Sequence, residues 1–417
     1  MKKKIKFKNF STIGKEEFNA VKDVLKSGIL SGFVAGYPNG FNGGKYNQLF
    51  ENKIKSFYKC KYAIALNSWT SGLIASVGAL DVNPGDEVIV SPWTMSATAT
   101  AILHWNCIPV FADIEPNTFS IDPIKVKKLI TKKTKAIITV DIFGHPSKLL
   151  ELKKVVKNKN IKIITDSAQS PYSFYRNRLA GTQSDIGGFS FNCHKHIQTG
   201  EGGVVVTNNK KLAERIKLIR NHAEAIVEKK KVKKINNLVG YNFRLGEMEA
   251  AIGIQQLRKL KIIVKKKQQQ ANYLNKRLKK LDGLILPKIE KKCTHSFYTY
   301  PLVLNLKKIS FTRSQLAKGL EQEGLEGFVE GYTNIHLLPI FKKKIAFGNK
   351  GFPWKNFNSK IKYKKGLCPI AETLHSKSFL NFEICKYDLT QKDLNLISKK
   401  FIKVWNYLNT QKIKKSV

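Results

Sequence analysis

Seven short runs rich in valine and isoleucine recur through the first half of the chain, and helix-like segments separate several of them. The runs span residues 62–67, 87–92, 108–114, 135–144, 161–169, 186–192 and 202–209. Each run is continuously apolar rather than alternating, which is typical of strands covered on both faces. The alternation of such strands with helices predicts an α/β fold built on a doubly wound, mostly parallel sheet.

The remaining segments indicate how the chain divides. A helical pattern at 15–28 precedes a glycine-rich loop at 31–48, and residues 246–281 predict one or two long helices. A chain of 417 residues is too long for one typical core. We therefore predict an N-terminal helix and loop at 1–50, a large domain at 51–265, and a linking helix with a smaller α+β domain at 266–417.

The charge of the chain raises the question of a polyanionic partner. The formal net charge is +44, from 74 Lys and Arg against 30 Asp and Glu. The lysines are spread over helices and loops and form no single stripe with interleaved aromatic residues. This distribution favours a lysine-rich surface over a specific nucleic-acid site, and the salt dependence of DNA binding would distinguish the two.

Other features of the sequence bear on location. No apolar run reaches the length of a membrane span, and no apolar signal core follows the basic N-terminus MKKKIKFKNF. The six cysteines are scattered without a C-x-x-C pair, as expected for reduced thiols. We therefore expect a cytoplasmic protein that has no membrane span.

Two common nucleotide-binding motifs are absent from the sequence. No G-x-G-x-x-G follows a predicted strand. The segment NGFNGGKY departs from the P-loop pattern, because Asn39 stands where glycine is required and Tyr46 follows Lys45. The sequence therefore indicates neither a Rossmann dinucleotide site nor a P-loop NTPase.

Polar side chains stand where two of the predicted strands end. Asp166 and Gln169 follow one strand, at the edge where open α/β sheets bind ligands, although Asp166 could instead cap a helix or turn. Trp69 and Thr70 begin the helix after the first strand. Their N–H groups and the Thr70 hydroxyl could hold a phosphate, while simple capping by Ser68 or Thr70 is the alternative.

The segment SFNCHKHIQTGEGG begins with Ser190 at a third strand end and contains Lys195. His194 and His196 could share one strand face and bind a metal, but no third ligand is suggested nearby, and we predict no metal site. A lysine, a strand-end carboxylate and a phosphate cradle together are what pyridoxal phosphate needs. The amine binds its aldehyde, and the carboxylate keeps its pyridine nitrogen protonated.

Several motifs, taken in order and spacing, resemble those of the DegT/DnrJ/EryC1/StrS sugar aminotransferase family. They are SWTSGL, PGDEVIVSPWTMSATA, PVFADI, TDSAQ, the S-F-x-x-x-K-x-x-x-x-G-E-G-G pattern that begins at Ser190, and GYNFRLGEMEAAIG. The resemblance runs over nearly the whole chain and is densest from about residue 45 to residue 260. It implies the aspartate-aminotransferase-like fold type I, pyridoxal phosphate as cofactor, and a homodimer with shared active sites.

The resemblance also implies roles for individual residues. Lys195 would bind the cofactor aldehyde, Asp166 would pair with the pyridine nitrogen, and Gln169 would hydrogen-bond the ring hydroxyl. The substrates would be glutamate or glutamine as amino donor and a nucleotide-linked keto sugar as acceptor. The phosphate would contact Trp69, Thr70, Ser190 and Asn242 of the partner subunit, Met95 would lie against the ring, and Arg244 and His336 would contact substrate.

The sequence departs from the family pattern at three positions. Trp69 replaces the glycine of the phosphate turn, Met95 replaces the aromatic residue on the cofactor ring, with Trp93 two residues before it, and Asp141 ends a strand that often ends in histidine. One branch of the family carries histidine in place of the lysine and catalyses dehydration. This chain keeps Lys195, so we predict amino transfer, with a dehydratase or a regulatory member as the alternative.

Overall fold

A seven-stranded sheet forms the centre of the large domain in the computed structural model, which describes residues 4–410. The strands of the first half of the chain are β1 (Tyr62–Leu66), β2 (Glu87–Val90), β3 (Ile108–Phe111), β4 (Thr134–Val140), β5 (Lys162–Asp166), β6 (Phe174–Tyr175), β7 (Arg178–Leu179), β8 (Ile186–Ser190) and β9 (Gly203–Thr207). The order in the sheet is β1-β9-β8-β5-β4-β2-β3, and only β9 runs antiparallel to its neighbours. This mixed, mostly parallel sheet confirms the predicted α/β fold.

Helices cover both faces of this sheet and continue into the C-terminal part. Their bounds are α1 (Lys15–Ser27), α2 (Lys45–Tyr58), α3 (Trp69–Ala79), α4 (Ala97–His104), α5 (Pro123–Leu129), α6 (Leu149–Val155), α7 (Lys210–Arg220), α8 (Glu247–Leu278), α9 (Arg313–Gln322), α10 (Pro339–Lys342), α11 (Pro369–Thr373) and α12 (Gln391–Thr410). Strand β4 shows why the sheet lies inside, since its last five residues, Ala136–Val140, are all buried and mostly β-branched. No helix within residues 4–410 is long and apolar enough to cross a membrane.

A second, smaller sheet forms the C-terminal domain. Its strands are β10 (Leu284–Ile285), β11 (Tyr300–Leu304), β12 (Phe328–Glu330) and β13 (Phe379–Phe382), in the order β10-β11-β13-β12. All three pairings are antiparallel. Side chains of α9 and α12 form one apolar core with this sheet, including Leu316, Leu320, Phe401 and Trp405.

Helix α8 connects the two domains as a single element of 32 residues. Leu257 and Leu260 in its first half pack in a core with β1, β8 and β9. Leu274 and Leu278 in its last turns pack in the core of the smaller sheet. The helix thus changes partners close to residues 265–266, and we retain that position as our proposed domain boundary.

The glycine-rich loop of the N-terminal part ends earlier in the structure than the sequence predicted. Helix α1 ends at Gly28, whose φ of 69° suits glycine, as expected from the sequence. The predicted loop at 31–48 is already helical from Lys45, where α2 begins. Glu247, which is distant in the sequence, stabilises the first turn of α2. Its carboxylate accepts hydrogen bonds from Tyr46 N at 2.7 Å and Asn47 Nδ2 at 2.7 Å.

Candidate active site

A cavity of about 1060 Å³ opens at the carboxyl ends of the parallel strands and reaches the smaller domain. Asp166 at the end of β5, Ser190 at the end of β8 and Lys195 line it from the large domain. Tyr298 and Tyr332 line it from the C-terminal domain. The cavity therefore lies where open α/β sheets bind ligands, and both domains form its walls.

The turn between β1 and α3 offers backbone donors to this cavity. Ser68 caps α3, since its Oγ accepts from Ser71 N at 3.0 Å. The N–H groups of Trp69 and Thr70 occupy the first two helical positions, where no intrahelical acceptor exists. Gly203 lets β9 pack closely against this turn, because a Cβ there would come within 2.3 Å of Trp69 N. The Ser68 cap thus leaves the N–H groups of Trp69 and Thr70 able to donate to an anion.

Asp166 is buried and accepts hydrogen bonds on both carboxylate oxygens. Trp69 Nε1 donates to Oδ1 at 2.7 Å, Ala168 N donates to Oδ1 at 3.2 Å, and Thr98 Oγ1 donates to Oδ2 at 2.9 Å. Burial raises the pKa of Asp166, while these hydrogen bonds and the charge of Lys195 act in the opposite direction. Oδ2, with one donor, keeps acceptor capacity for a protonated nitrogen.

Lys195 follows β8 in a tight turn in which its N–H donates to Asn192 O at 2.9 Å. The side chain is half-buried, and Nζ lies 4.4 Å from the centre of the Tyr298 ring. Burial lowers the pKa of Lys195, and the Asp166 carboxylate partly opposes that shift. A lysine of lowered pKa presents more of the neutral, nucleophilic amine at neutral pH.

Gln169, Ser190 and Met95 also line the cavity. Gln169 Oε1 accepts from Phe143 N at 2.7 Å, which directs its Nε2 towards the cavity side and Tyr332. Ser190 Oγ accepts from Asn192 N at 3.3 Å and can still donate. Met95 is 66% exposed and free to pack on a ligand ring.

Trp93, two residues before Met95, and Asp141, the third departure from the family pattern, lie in the protein interior. Trp93 is fully buried and donates from Nε1 to Asn334 Oδ1 at 2.9 Å, so it supports the cavity wall from behind. Asp141 accepts from Ser147 N at 2.8 Å and Ser167 Oγ at 2.6 Å. Burial raises the pKa of Asp141 to about 6, and these donated hydrogen bonds oppose that rise.

Three predicted residues do not line the cavity of their own chain. Asn242 is exposed, and Arg244 donates from Nε to Asn221 Oδ1 at 2.9 Å. Both lie close to the β1–α3 turn, since Phe243 O accepts from Asn67 N at 3.0 Å. His336 is fully buried, with Nε2 at 2.9 Å from Glu372 Oε1, and a direct contact with substrate does not follow from this position.

The two histidines that flank Lys195 lie in different environments. His194 is exposed at the cavity mouth, whereas His196 is buried with Nε2 at 2.8 Å from Ser296 O. They therefore do not converge on one ligand, and neither takes the place of the Lys195 amine. Among residues 4–410, no group of three or more His, Cys, Asp or Glu side chains is arranged to hold a metal ion.

Four further side chains shape the site, although the sequence motifs predicted no role for them. Thr98 contacts Asp166, and Phe143, Tyr298 and Tyr332 line the cavity. Thr98 belongs to the TMSATA motif, so its place at the start of α4 could have drawn attention to it. The two tyrosines belong to a region without a recognisable pattern.

The residues of this cavity fit pyridoxal phosphate. Lys195 provides the amine, Asp166 provides a buried acceptor, and the N-terminus of α3 provides donors for a phosphate. When bound, this cofactor supplies an electron sink for chemistry at the α-carbon of an amine.

Comparison with known proteins gives the same assignment. Residues 11–356 match the model of the DegT/DnrJ/EryC1/StrS aminotransferase family. The spore coat polysaccharide biosynthesis protein SpsC of Bacillus subtilis is 32% identical over 361 residues, which cover 85% of this chain and 89% of that protein. GDP-perosamine synthase of Escherichia coli O157:H7 is 32% identical over 301 residues, which cover 72% of this chain and 80% of that protein.

Solved structures share the fold over nearly the full chain. The aminotransferase from Psychrobacter cryohalolentis has a TM-score of 0.82 at 24% identity, covering 97% of this chain and 100% of that chain. The E. coli GDP-4-keto-6-deoxy-D-mannose-3-dehydratase with bound hydrated PLP has a TM-score of 0.79 at 23% identity, covering 95% of this chain and 100% of that chain. These matches confirm the predicted fold type I. The chain belongs to the DegT/DnrJ/EryC1/StrS aminotransferase family, and its cofactor is pyridoxal phosphate.

Proposed function

We propose that this enzyme transfers an amino group from glutamate or glutamine to a nucleotide-linked keto sugar in amino-sugar or polysaccharide biosynthesis. The observation that carries the proposal is the placement of the Lys195 amine and the Asp166 carboxylate in one cavity with the free N–H groups of α3. Relatives named for polysaccharide biosynthesis and for GDP-perosamine synthesis support the sugar acceptor.

Each of these side chains of the cavity has its own role in the proposed reaction. Lys195 would hold the cofactor through its amine. The same amine, when free, would move the proton at the donor α-carbon, as general base and then as general acid. Asp166 stays anionic and holds the pyridine nitrogen in its protonated form. Gln169 orients the ring through its hydroxyl, and Thr70 and Ser190 bind the phosphate.

A second subunit completes the site in this proposal. Asn242 lies outside the cavity of its own chain and is exposed, as a residue that reaches a neighbouring site would be. Val239 and Ile235 nearby are 62% and 63% exposed, which suits a surface that a second copy covers. The homodimer therefore has two shared sites, with Arg244 of each chain near the substrate of the other.

The outer part of the cavity binds the acceptor. Phe10 and Thr12 of the N-terminal segment line it beside the C-terminal domain, where Phe10 N donates to Lys386 O at 2.8 Å. Residues 1–50 therefore act as the part of the chain that selects the sugar. We place the reaction in the cytoplasm, which the six free cysteines support.

The dehydratase alternative shares the fold, as the TM-score of 0.79 shows. Lys195 favours amino transfer, because a lysine amine can both bind the cofactor and move the proton. His194 and His196 provide no replacement, since one is exposed and the other is bound to the Ser296 carbonyl.

Covalent attachment of the cofactor tests the proposal. The enzyme is loaded with pyridoxal phosphate, reduced with borohydride, digested and analysed by mass spectrometry. We expect the label on Lys195, unchanged labelling in Lys386→Ala, which removes another lysine of the cavity, and no label in Lys195→Ala. Labelling of Lys386 or of surface lysines at the expense of Lys195 would contradict the assignment.

A further inference from the structure

The side chain of Trp69 turns away from the phosphate turn and contacts Asp166. Its indole Nε1 donates to Asp166 Oδ1 at 2.7 Å, and the ring is 4% exposed. Binding a phosphate requires only the backbone N–H of this residue. We propose that Trp69 is a positioning residue for Asp166: its indole N–H fixes the carboxylate and keeps it anionic for the cofactor nitrogen. This inference rests on the proposed function.

The hydrogen bonds of Asp166 show what the indole contributes. Oδ1 accepts from Trp69 and from Ala168 N, and Oδ2 accepts from Thr98 Oγ1. The Ala168 bond, at 3.2 Å, is the longest of the three. Thr98 also contacts Thr94 Oγ1 at 2.8 Å, so its proton is shared between two possible acceptors. The indole N–H can only donate, whereas the Thr98 hydroxyl can donate or accept. Of these two side chains, Trp69 is therefore the one whose hydrogen bond to Asp166 has a fixed direction.

Glycines of β8 and of α3 itself leave room for the indole. A Cβ on Gly188, in β8, would come within 1.8 Å of Trp69 Cζ3. A Cβ on Gly72, in α3, would come within 2.7 Å of Trp69 Cε3. The ring thus fills a slot that glycines on a strand and a helix keep open. Its orientation towards Asp166 is set by this packing and not by the turn alone.

Lys195 and Asp141, the charged groups near Asp166, do not stabilise its negative charge constantly through the reaction. Lys195 changes its bonding and its protonation during the reaction proposed above. The carboxylate of Asp141 is occupied by donors from Ser147 and Ser167 and has no hydrogen to give to Asp166 when ionised. The indole N–H does not titrate, so its hydrogen bond to Asp166 persists through each step.

Binding of pyridoxamine phosphate tests the inference, because this ligand has no aldehyde and does not attach to Lys195. Its dissociation constant is measured from pH 5 to pH 9 for the wild type, for Trp69→Phe and for Trp105→Phe. The last variant is the matched control, since Trp105 Nε1 donates to a backbone acceptor, Ile74 O, at 2.7 Å. Trp69→Phe removes the N–H but retains an aromatic ring.

We expect Trp69→Phe to weaken binding roughly tenfold or more at neutral pH, the range for a hydrogen bond to a charged group. The acid midpoint of binding should also move up by about one pH unit, because the carboxylate without its donor protonates more easily. Trp105→Phe should keep the wild-type midpoint. Weakening by the same factor at every pH, or no weakening, would show a packing role only and overturn the inference.

A measurement on the wild type covers the case in which Trp69→Phe does not fold. Protein labelled with ¹⁵N in its five indoles is titrated with pyridoxamine phosphate, and the Trp69 signal is assigned with Asp166→Asn. We expect the Trp69 indole signal to shift and that of Trp105 to stay. If no indole signal shifts, the inference fails. If wild-type pyridoxal phosphate does not label Lys195, the proposed function fails and the inference falls with it.

Discussion

Gln169 Nε2 lies 3.3 Å from Tyr332 Oη, so a residue in the loop after β5 contacts one from the C-terminal domain across the cavity. Tyr332 also packs edge-on against Trp93 and Phe143. The contact thus joins the proposed ring-hydroxyl ligand to the domain that closes the site.

Removing this contact should affect the cofactor more than the stability of the fold. Tyr332→Phe keeps the aromatic packing and removes only the hydroxyl, so we expect pyridoxal phosphate to bind several-fold more weakly. A double-mutant cycle with Gln169→Leu should give a coupling free energy of about 0.5–1.5 kcal/mol. Additive effects of the two substitutions on cofactor binding would show that the contact plays no part in it.

Three buried histidines should make the protein sensitive to acid. Burial lowers the pKa of His145 to about 4 and that of His196 to about 3, and it lowers the pKa of His295 well below its ordinary value. In the unfolded chain each titrates near 6.5. Between these values the unfolded state binds more protons, so the free energy of unfolding falls as pH falls below about 6.5. Each group contributes up to about 1.4 kcal/mol per pH unit.

Urea unfolding between pH 4.5 and pH 7.5 measures this slope. His196→Gln retains a donor for Ser296 O but cannot gain a proton, so its stability should fall less steeply with acid. His194→Gln is the control at an exposed position and should follow the wild type. Equal slopes in all three proteins would show that protonation of His196 does not contribute to the loss of stability in acid.

A buried ion pair anchors α7 to α2. Arg220 Nη1 lies 2.6 Å from Glu51 Oε1, and Arg220 is fully buried. Arg220→Met would leave the Glu51 carboxylate without its cation, which we expect to cost about 3–5 kcal/mol of unfolding free energy. The double variant Glu51→Leu/Arg220→Met should recover much of this loss, since no uncompensated charge remains.

Lys308→Met is the matched control for that experiment, because its partner Asp282 is exposed and the pair should contribute no measurable stability. Thermal unfolding of the four proteins gives the comparison. If the double variant is as unstable as Arg220→Met, packing and not the unpaired charge explains the loss.

Much of the fold could be predicted because the large sheet has a strong local signal. Its seven strands coincide with the seven apolar runs. The runs did not indicate that β9 is antiparallel to its neighbours, because an apolar run carries no information about strand direction. The smaller sheet could not be read in the same way. Its strands are two to five residues long, and Tyr300 pairs with Phe382, far away in the sequence.

The site was predictable where motifs fix the spacing. The resemblance placed Lys195, Asp166 and Gln169, and the structure brings all three to one cavity. It assigned Trp69 only a phosphate contact through its backbone. The direction of the indole depends on Gly72 and Gly188, which are distant from each other in sequence and become neighbours only in the folded chain.

The shared-site proposal predicts recovery of activity in mixed dimers. A dimer of one Lys195→Ala chain and one Asn242→Ala chain has one site with both residues intact if Asn242 acts on its partner. We expect this differently tagged heterodimer to show about half the wild-type activity at limiting pyridoxal phosphate, well above either homodimer. A Lys195→Ala and Asp166→Asn mixture should stay inactive, and the same inactivity in the first mixture would place Asn242 in its own site.

The half-reaction with ¹⁵N-labelled donor shows whether this enzyme takes an amino group from glutamate or glutamine. Enzyme loaded with pyridoxal phosphate is mixed with glutamate, and separately with amine-labelled glutamine, without any acceptor. We expect one of the two donors to release one equivalent of its 2-oxo acid per site and to leave the ¹⁵N on the cofactor, and we expect neither result with Lys195→Ala. Release of ¹⁵N as free ammonia, or no transfer from either donor by an enzyme that carries its cofactor on Lys195, would contradict the assignment as an aminotransferase.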